Sequence, residues 1–542
     1  MARDGTAGDD VINRLRRAPL AVHAAVLAVG LAIVVPFMHL DSSFTSDEGA
    51  YAIQAHAIAD GHWNYPYVLA DRDRAGEHFP IANAFVARGR WYPYPQHPAY
   101  PLALSVAWGA PARSVALHVL PLAGVIGCAI AAWLLAGQLD RRARPVAFWV
   151  AASAPVLANG WLLWAHAPSA AVGGLTLAGV IAVARKWSPV TAALTGVGLV
   201  LGVLLRSEGV LFAAACGAAV LVLRAAHRRR AMVLVAALAP AVVGIVAKLA
   251  ERTWVAHITG GEGAGEPTRA GANGFLASRI DGAWHELFQG RYSEGAGWLA
   301  PLALILAIAA GVQLRGGAQS RRRATELLAV AAALVVVRIV TAPDDPVTGL
   351  LAAWPVAAVG LAALDVRAAG AETKAMLAVV AVFTLLVLAS QYRVGGGLEW
   401  GGRFLSPITA PVAALVAVAL LDRFLPALTV LAVASAVGAL VVVGTLRRDH
   451  DAAIDDIARN ARPTVVTTLS AVPRLAWRLD GRVDWVLART EDVAAVAADV
   501  ERTRPGVLVV AGRGQRLSLD AGFEPVARAS LNSDLLDLWV AP

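Results

Sequence analysis

The chain has 542 residues, 58% of them hydrophobic and only 16% charged, with a formal net charge of +8. A mean hydropathy of +0.60 and so few charges exclude an ordinary soluble domain, where about a quarter of residues are charged, and point to a polytopic membrane protein. The basic excess excludes a nucleic-acid partner rather than implying one, because the arginines stand in short clusters between apolar segments, as cytoplasmic loops require.

Residues 1–17 carry Arg14, Arg16 and Arg17 and read as a cytoplasmic N-terminus. The apolar run from Ala18 to about Met38 is long enough to span a bilayer at roughly 1.5 Å per residue, and too long for the core of a cleaved signal peptide. It is read as the first transmembrane helix. Further apolar segments at 114–138, 146–165, 168–184, 189–205, 208–223, 232–250, 297–314, 325–342, 347–363, 375–391, 407–421 and 425–444 bring the expected count to about thirteen. With the N-terminus inside, the basic clusters at 140–144, 185–186, 224–230, 315–323, 365–374 and 422–423 fall on one side. The other side receives a first outer loop (39–113), short turns at 166–168, 206–208 and 344–345, longer stretches at 251–297 and 391–407, and everything after 444. Acids, histidines and tryptophans collect there. Cys128 and Cys216 lie inside apolar segments and imply neither a disulfide framework nor a metal knuckle.

The division that follows is a membrane domain at 18–444 and an outer domain at 445–542. The latter has short β-type runs at 464–468, 483–488, 507–511 and 536–540 and a helix at 491–503, the pattern of a small α/β domain.

Three constellations carry chemistry. Thr45-Ser46-Asp47-Glu48-Gly49-Ala50-Tyr51 opens a helix running to about Asp60-Gly61, with Ser46 as the expected N-cap. Asp47, Tyr51 and Gln54 share a face, and a carboxylate at a helix N-terminus is favoured in its ionised, acceptor-only form. Such a group can accept a proton from a hydroxyl or ligate a cation; an acid pair that merely complements the helix dipole is the other reading. Next, His62 to Tyr67 and Trp91 to Pro95 have the composition either of an interfacial seat or of a carbohydrate-stacking surface. Asp71, Asp73, Glu77, His78 and His97 are polar candidates beside them, and the histidine spacing predicts no metal site. Third, the stretch 391–407 contains Arg393, Glu399, Trp400 and Arg403 among glycines that permit close backbone approach. A guanidinium there suits a lipid phosphate, and a snorkelling arginine is the alternative. Arg206-Ser207-Glu208 is a similar pair at a helix–helix turn. It reads either as a structural ion pair or as part of the phosphate site.

One reaction uses these parts. A polyprenyl-phosphate sugar already carries a good leaving group, which needs charge stabilisation by arginine rather than protonation. The acceptor hydroxyl needs a base, which Asp47 can supply, and direct displacement inverts the anomeric centre.

The motifs Thr45 to Tyr51, Leu205-Arg206-Ser207-Glu208-Gly209 and Trp400-Gly401-Gly402-Arg403-Phe404-Leu405-Ser406-Pro407 resemble the GT-C superfamily of polyprenyl-phosphate-sugar-dependent glycosyltransferases, in the style of protein O-mannosyltransferases and aminoarabinose transferases. The resemblance covers roughly 18–444. It implies a GT-C-type α-helical polytopic fold, Asp47 at the catalytic acidic position with Glu48 as its motif neighbour, and late-loop arginines on the donor phosphate. Tyr94-Pro95-Gln96-His97-Pro98 lacks the Lys-Pro-Pro of many aminoarabinose transferases, which weakens that donor. The Ala/Arg-rich composition is similar to that of actinobacterial proteins, whose usual donors are polyprenyl-phosphate mannose and arabinose.

The expectation is therefore a multi-pass glycosyltransferase of a bacterial plasma membrane, with active site and C-terminal domain on the extracytoplasmic side. Asp47 and Glu48 are its catalytic residues, Arg403, Arg206 and Arg393 hold the donor phosphate, and Tyr51, Gln54, His78, His97, Glu399 and Trp400 bind substrate. Its partners are the lipid-linked donor, a cell-envelope glycan, lipid or protein acceptor, and membrane lipids. No cofactor is assigned, and a divalent cation is left open. The competing reading is a transporter or lipid flippase, which calls for internal repeats and charged residues within spans; neither is evident.

Overall fold

The computed structural model describes residues 18–540 except 66, 70, 74–75, 82–84, 88–89, 226–228, 261–274, 292–296, 391–398, 424, 513–522 and 532–533. Among these, eight helices are long and apolar enough to cross a membrane, and Pro189–Leu205, Glu208–Leu223 and Leu299–Gln313 are shorter apolar helices beside them. The first, over Leu20–Phe37, is only 17% buried, whereas Arg403–Leu420 is 94% buried. Aliphatic side chains such as Ile33, Val235, Val340 and Leu385 remain exposed on the bundle, which is tolerable where the solvent is hydrocarbon. The protein is a multi-pass helical membrane protein.

Among the described residues, the expected spans do not all form as continuous helices. The expected span at 146–165 is Arg144–Ala152 followed by a single turn at Val156–Asn159, with Pro155 at the break. The span expected at 347–363 is likewise split into Leu350–Ala353 and Pro355–Ala363. A proline lacks the N–H and clashes with the preceding turn, so hydropathy alone overcounts here. Conversely, two helices overshoot. Arg230–Thr259 has 30 residues. Pro426–Asn460 has 35, about 50 Å at 1.5 Å per residue, well beyond a hydrocarbon core of about 30 Å. It passes through position 444 without interruption and carries the chain into the C-terminal domain.

That domain is a five-stranded mixed sheet in the order β4-β3-β5-β7-β6. β3 (Thr464–Thr467) lies parallel to β4 (Asp484–Leu487) and to β5 (Val507–Gly512). β7 (Asp534–Val540) runs antiparallel to both β5 and β6 (Glu524–Leu531). The helix Val493–Thr503 forms close to its expected position. β6 escapes the sequence pattern because Glu524, Pro525 and Arg528 interrupt its apolar alternation. β1 (Phe85–Ala87) and β2 (Arg90–Tyr92) make a hairpin within the first outer loop.

The C-terminal domain sits on that loop. Asp480 accepts from the Tyr65 hydroxyl at 2.7 Å and pairs with His56 Nδ1 at 2.6 Å. The backbone N–H of Leu487 donates to the His78 carbonyl at 2.9 Å. A Cβ on Gly49 would come within 1.7 Å of the Arg474 carbonyl oxygen, so only glycine lets the helix and the domain approach this closely.

Candidate functional site

The site begins with the helix Ser46–Ala59. Its N-cap is Thr45 and not Ser46, because Glu48 at the third helical position reaches back to the Thr45 backbone N–H at 3.0 Å. This local rule separates two adjacent acids. Glu48 turns inward and is fully buried, taking backbone N–H bonds from Phe44, Thr45 and Leu163 and a 2.6 Å ion pair from Arg447. Asp47 turns outward, with its side chain 47% exposed.

Two guanidiniums face Asp47. Arg403 Nη1 lies 3.1 Å from its Oδ2, and Arg474 Nη1 lies 3.9 Å from its Oδ1. Arg403 begins the 3-10 turn Arg403–Ile408, after Gly401 and Gly402 at φ +72° and +61°. These left-handed residues let Gly401 N–H reach the Val347 carbonyl, and a Cβ on Gly402 would strike the Glu286 carbonyl at 2.5 Å. Arg403 is held further by Glu399 at 3.1 Å and by the face of Trp164 at 4.7 Å. Arg474 comes from the C-terminal domain. Burial pulls its pKa below the ordinary guanidinium value, against the opposing charge of Asp47.

Arg206 stands one layer away. It forms a 2.8 Å pair with Glu208, and its guanidinium lies 5.6 Å from the Phe404 ring that Arg403 approaches at 5.2 Å. Tyr51 donates from its hydroxyl to Tyr94 at 3.1 Å; burial pushes its pKa up, so the phenol stays protonated near neutrality. Thus Asp47, Arg403, Arg206, Tyr51 and Glu399 converge. Arg393 lies outside the described residues.

The remaining predicted residues serve the framework. Gln54 donates to the Trp63 carbonyl at 2.8 Å and accepts the Tyr94 N–H at 3.0 Å. His78 ties the loop to the C-terminal domain through the Leu487 carbonyl at 2.9 Å. His97, buried, pairs with Glu251 at 2.7 Å, itself paired with Lys248 at 2.5 Å. Trp400 is buried too. The aromatic run is not an open stacking platform either: Trp91 and Tyr92 are buried, with Trp91 stacked on Phe79 at 4.5 Å. Two loop segments far apart in sequence close on each other there, and their rings fill the core between them.

Sequence reasoning missed Arg474, Arg447, Trp164, His285 and Glu286. Arg474 had no local signal, since it sits in a short helix, Val472–Leu475, of a domain with no motif. His285 and Glu286 end the helix Phe275–Leu287 inside what read as a featureless outer loop. The apolar spacing Ile280, Trp284, Leu287 was the available clue.

Fold and site together define a multi-pass helical membrane protein that gathers arginines and carboxylates where helix ends meet a docked α/β domain. Its structure is similar to that of ArnT from Cupriavidus metallidurans bound to undecaprenyl phosphate, at 14% identity over 95% of this chain and 98% of that one (TM-score 0.49). It is also similar to the archaeal oligosaccharyltransferase AglB from Archaeoglobus fulgidus in complex with an inhibitory peptide and a dolichol-phosphate, at 14% identity over 90% and 69% of the two chains (TM-score 0.44). No family model and no curated protein sequence matches the chain.

Proposed function

We propose that this protein is an inverting glycosyltransferase that moves a sugar from a polyprenyl-phosphate donor to an extracytoplasmic acceptor hydroxyl. The observation that carries the reading is the half-exposed Asp47 carboxylate at a helix N-terminus, opposed by the largely buried guanidiniums of Arg403 and Arg474. Two largely buried cations that converge on one half-exposed carboxylate suit a lipid phosphate.

The chemistry follows from the charges. The donor diester carries one negative charge on its phosphate, and the departing lipid phosphate carries two. As the bond from the sugar C1 to the phosphate oxygen breaks, Arg403 and Arg474 stabilise the growing charge, and Arg206 adds to the field. A phosphate that engages Arg403 competes with Asp47 for it. Asp47 then turns to the acceptor, takes its hydroxyl proton, and the acceptor oxygen bonds C1 from the opposite face. Glu48 acts at one remove, by fixing the first turn from which Asp47 projects. Tyr51, in the electrostatic field of Asp47, Arg403 and Arg206, stands beside them, and the acceptor is a cell-envelope glycan, lipid or protein.

The deciding experiment incubates purified protein with polyprenyl-phosphate mannose, arabinose and aminoarabinose and a mixed envelope acceptor fraction. The reading expects release of lipid phosphate with one donor and none with Asp47→Asn. Vectorial uptake of the lipid or sugar into proteoliposomes without a covalent product would replace it with a transporter or flippase.

A further inference from the structure

A second group of ionisable residues lies behind Arg403. His285, Glu286 and Glu399 are all buried, and one ligand atom from each lies within 4.8 Å of the others. His285 Nε2 is 3.2 Å from Glu399 Oε1. His285 Nδ1 is engaged with Gln289 Oε1 at 3.0 Å, which orients the ring and leaves Nε2 toward the carboxylates. Glu286 is 1% exposed, and among the described residues no hydrogen-bond donor reaches either of its oxygens. A buried carboxylate in that condition is expensive unless a cation or a proton compensates it.

Charge counting points the same way. Glu286 and Glu399 face each other in the buried cluster, and the nearest guanidinium, Arg403, is already shared between Glu399 and Asp47. The carboxylates Asp47, Glu208, Glu286 and Glu399 meet the guanidiniums Arg206, Arg403 and Arg474. With all four carboxyls ionised, four negative charges against three positive ones leave an excess of one, which either a proton or a cation must offset. A divalent ion would reverse that excess and make the whole cluster cationic, which also favours an incoming phosphate.

We infer that His285, Glu286 and Glu399 form a binding site for one divalent transition-metal ion. One imidazole nitrogen with two carboxylates suits zinc or manganese, whereas magnesium and calcium favour oxygen donors throughout. Three protein ligands leave coordination positions open for water. Bringing donors within 4.8 Å of each other onto an ion at about 2.0–2.2 Å needs side-chain rotations of roughly 1 Å. Glu399 would then bridge the ion and Arg403, whose Nε lies 3.1 Å from its Oε2. The ion would orient the guanidinium that faces Asp47 without touching the reacting atoms.

The test needs no turnover. Full-length protein stripped with chelator is titrated with Mn2+, following loss of the free-ion electron-spin-resonance signal, and with Zn2+ by competition. The expected result is one equivalent bound per chain, with affinity at least tenfold weaker in Glu286→Gln and in His285→Gln. The unfolding midpoint of the parent should rise with metal. Glu286→Gln, which relieves repulsion, should unfold no earlier than the metal-free parent and should show no metal-dependent rise. Absence of binding, or binding unaltered by Glu286→Gln, overturns the site and leaves a proton shared between Glu286 and Glu399 as the compensating charge. Metal binding without sugar transfer would refute only the proposed activity, and transfer without metal binding only this site.

Discussion

The core-facing and site-facing sides of the first turn of Ser46–Ala59 carry the same kind of side chain in opposite surroundings. Glu48 is sealed at 0% exposure against Arg447, while Asp47 is 47% exposed against Arg403 and Arg474. The core side joins the first loop to the far end of the chain. The site side keeps a carboxylate available. Charge at a helix N-terminus does not distinguish structure from chemistry; what each carboxylate meets across the fold does.

The contrast is sharpest if the two acids are changed separately. Glu48→Gln should strand the Arg447 guanidinium in the core and destabilise the protein by about 3–5 kcal/mol, the usual consequence of halving a buried pair. A lowered unfolding midpoint in detergent checks this, and an unaltered midpoint would mean that the pair is dispensable. Asp47→Asn should do the reverse. Its midpoint should stay within about 0.5 kcal/mol of the parent, as for other exposed substitutions, because Arg403 keeps its Glu399 partner at 3.1 Å. Sugar transfer should fall roughly 10²- to 10⁴-fold, the span of a lost general base.

The arginines divide more finely. Arg403→Ala should lower transfer by about 10²- to 10³-fold, as loss of a preorganised charge does. Arg474→Ala, at the longer 3.9 Å distance, should cause roughly a tenfold loss, about 1.4 kcal/mol. Equal losses from the two would argue that the C-terminal domain closes further over the donor. The smallest effect concerns the docking of that domain. The hydrogen bond that His56 donates to the Asp480 carboxylate raises the His56 pKa above its ordinary value, against the effect of burial. The folded value exceeds the unfolded one, so this stabilisation is complete below about pH 6.5 and is lost as pH rises through the raised value. The protection of the Asp480 segment, taken relative to the intrinsic amide exchange rate at each pH, should fall by a small factor between pH 6 and pH 8, and His56→Gln should abolish that loss of protection.

Helical and sheet character were legible wherever one physical period dominated. The first helix, the acidic helix and β3, β4, β5 and β7 all form near their expected places, since apolar runs and period-two alternation are local properties. Spans failed where Pro155 and Pro355 cut helices that hydropathy runs straight through. The long helix Pro426–Asn460 hid the junction between domains, because a helix persists after its residues turn from apolar to charged when tertiary contacts hold it.

For the site, sequence alone determined which residue types stand at which helix ends: Asp47 after the first span, Arg206 at a turn, and Arg403 after a glycine pair. Those placements follow from hydropathy, capping and the conformational freedom of glycine, which act over a few residues. Only the tertiary structure decided who meets whom. Glu48 and Arg447 are separated by 399 positions and Asp47 and Arg403 by 356, while Arg474 reaches Asp47 from the C-terminal domain. A carboxylate's surroundings are made by packing and desolvation over distances that no local pattern encodes, and those surroundings make one acid of the pair a strut and leave the other half exposed between two guanidiniums.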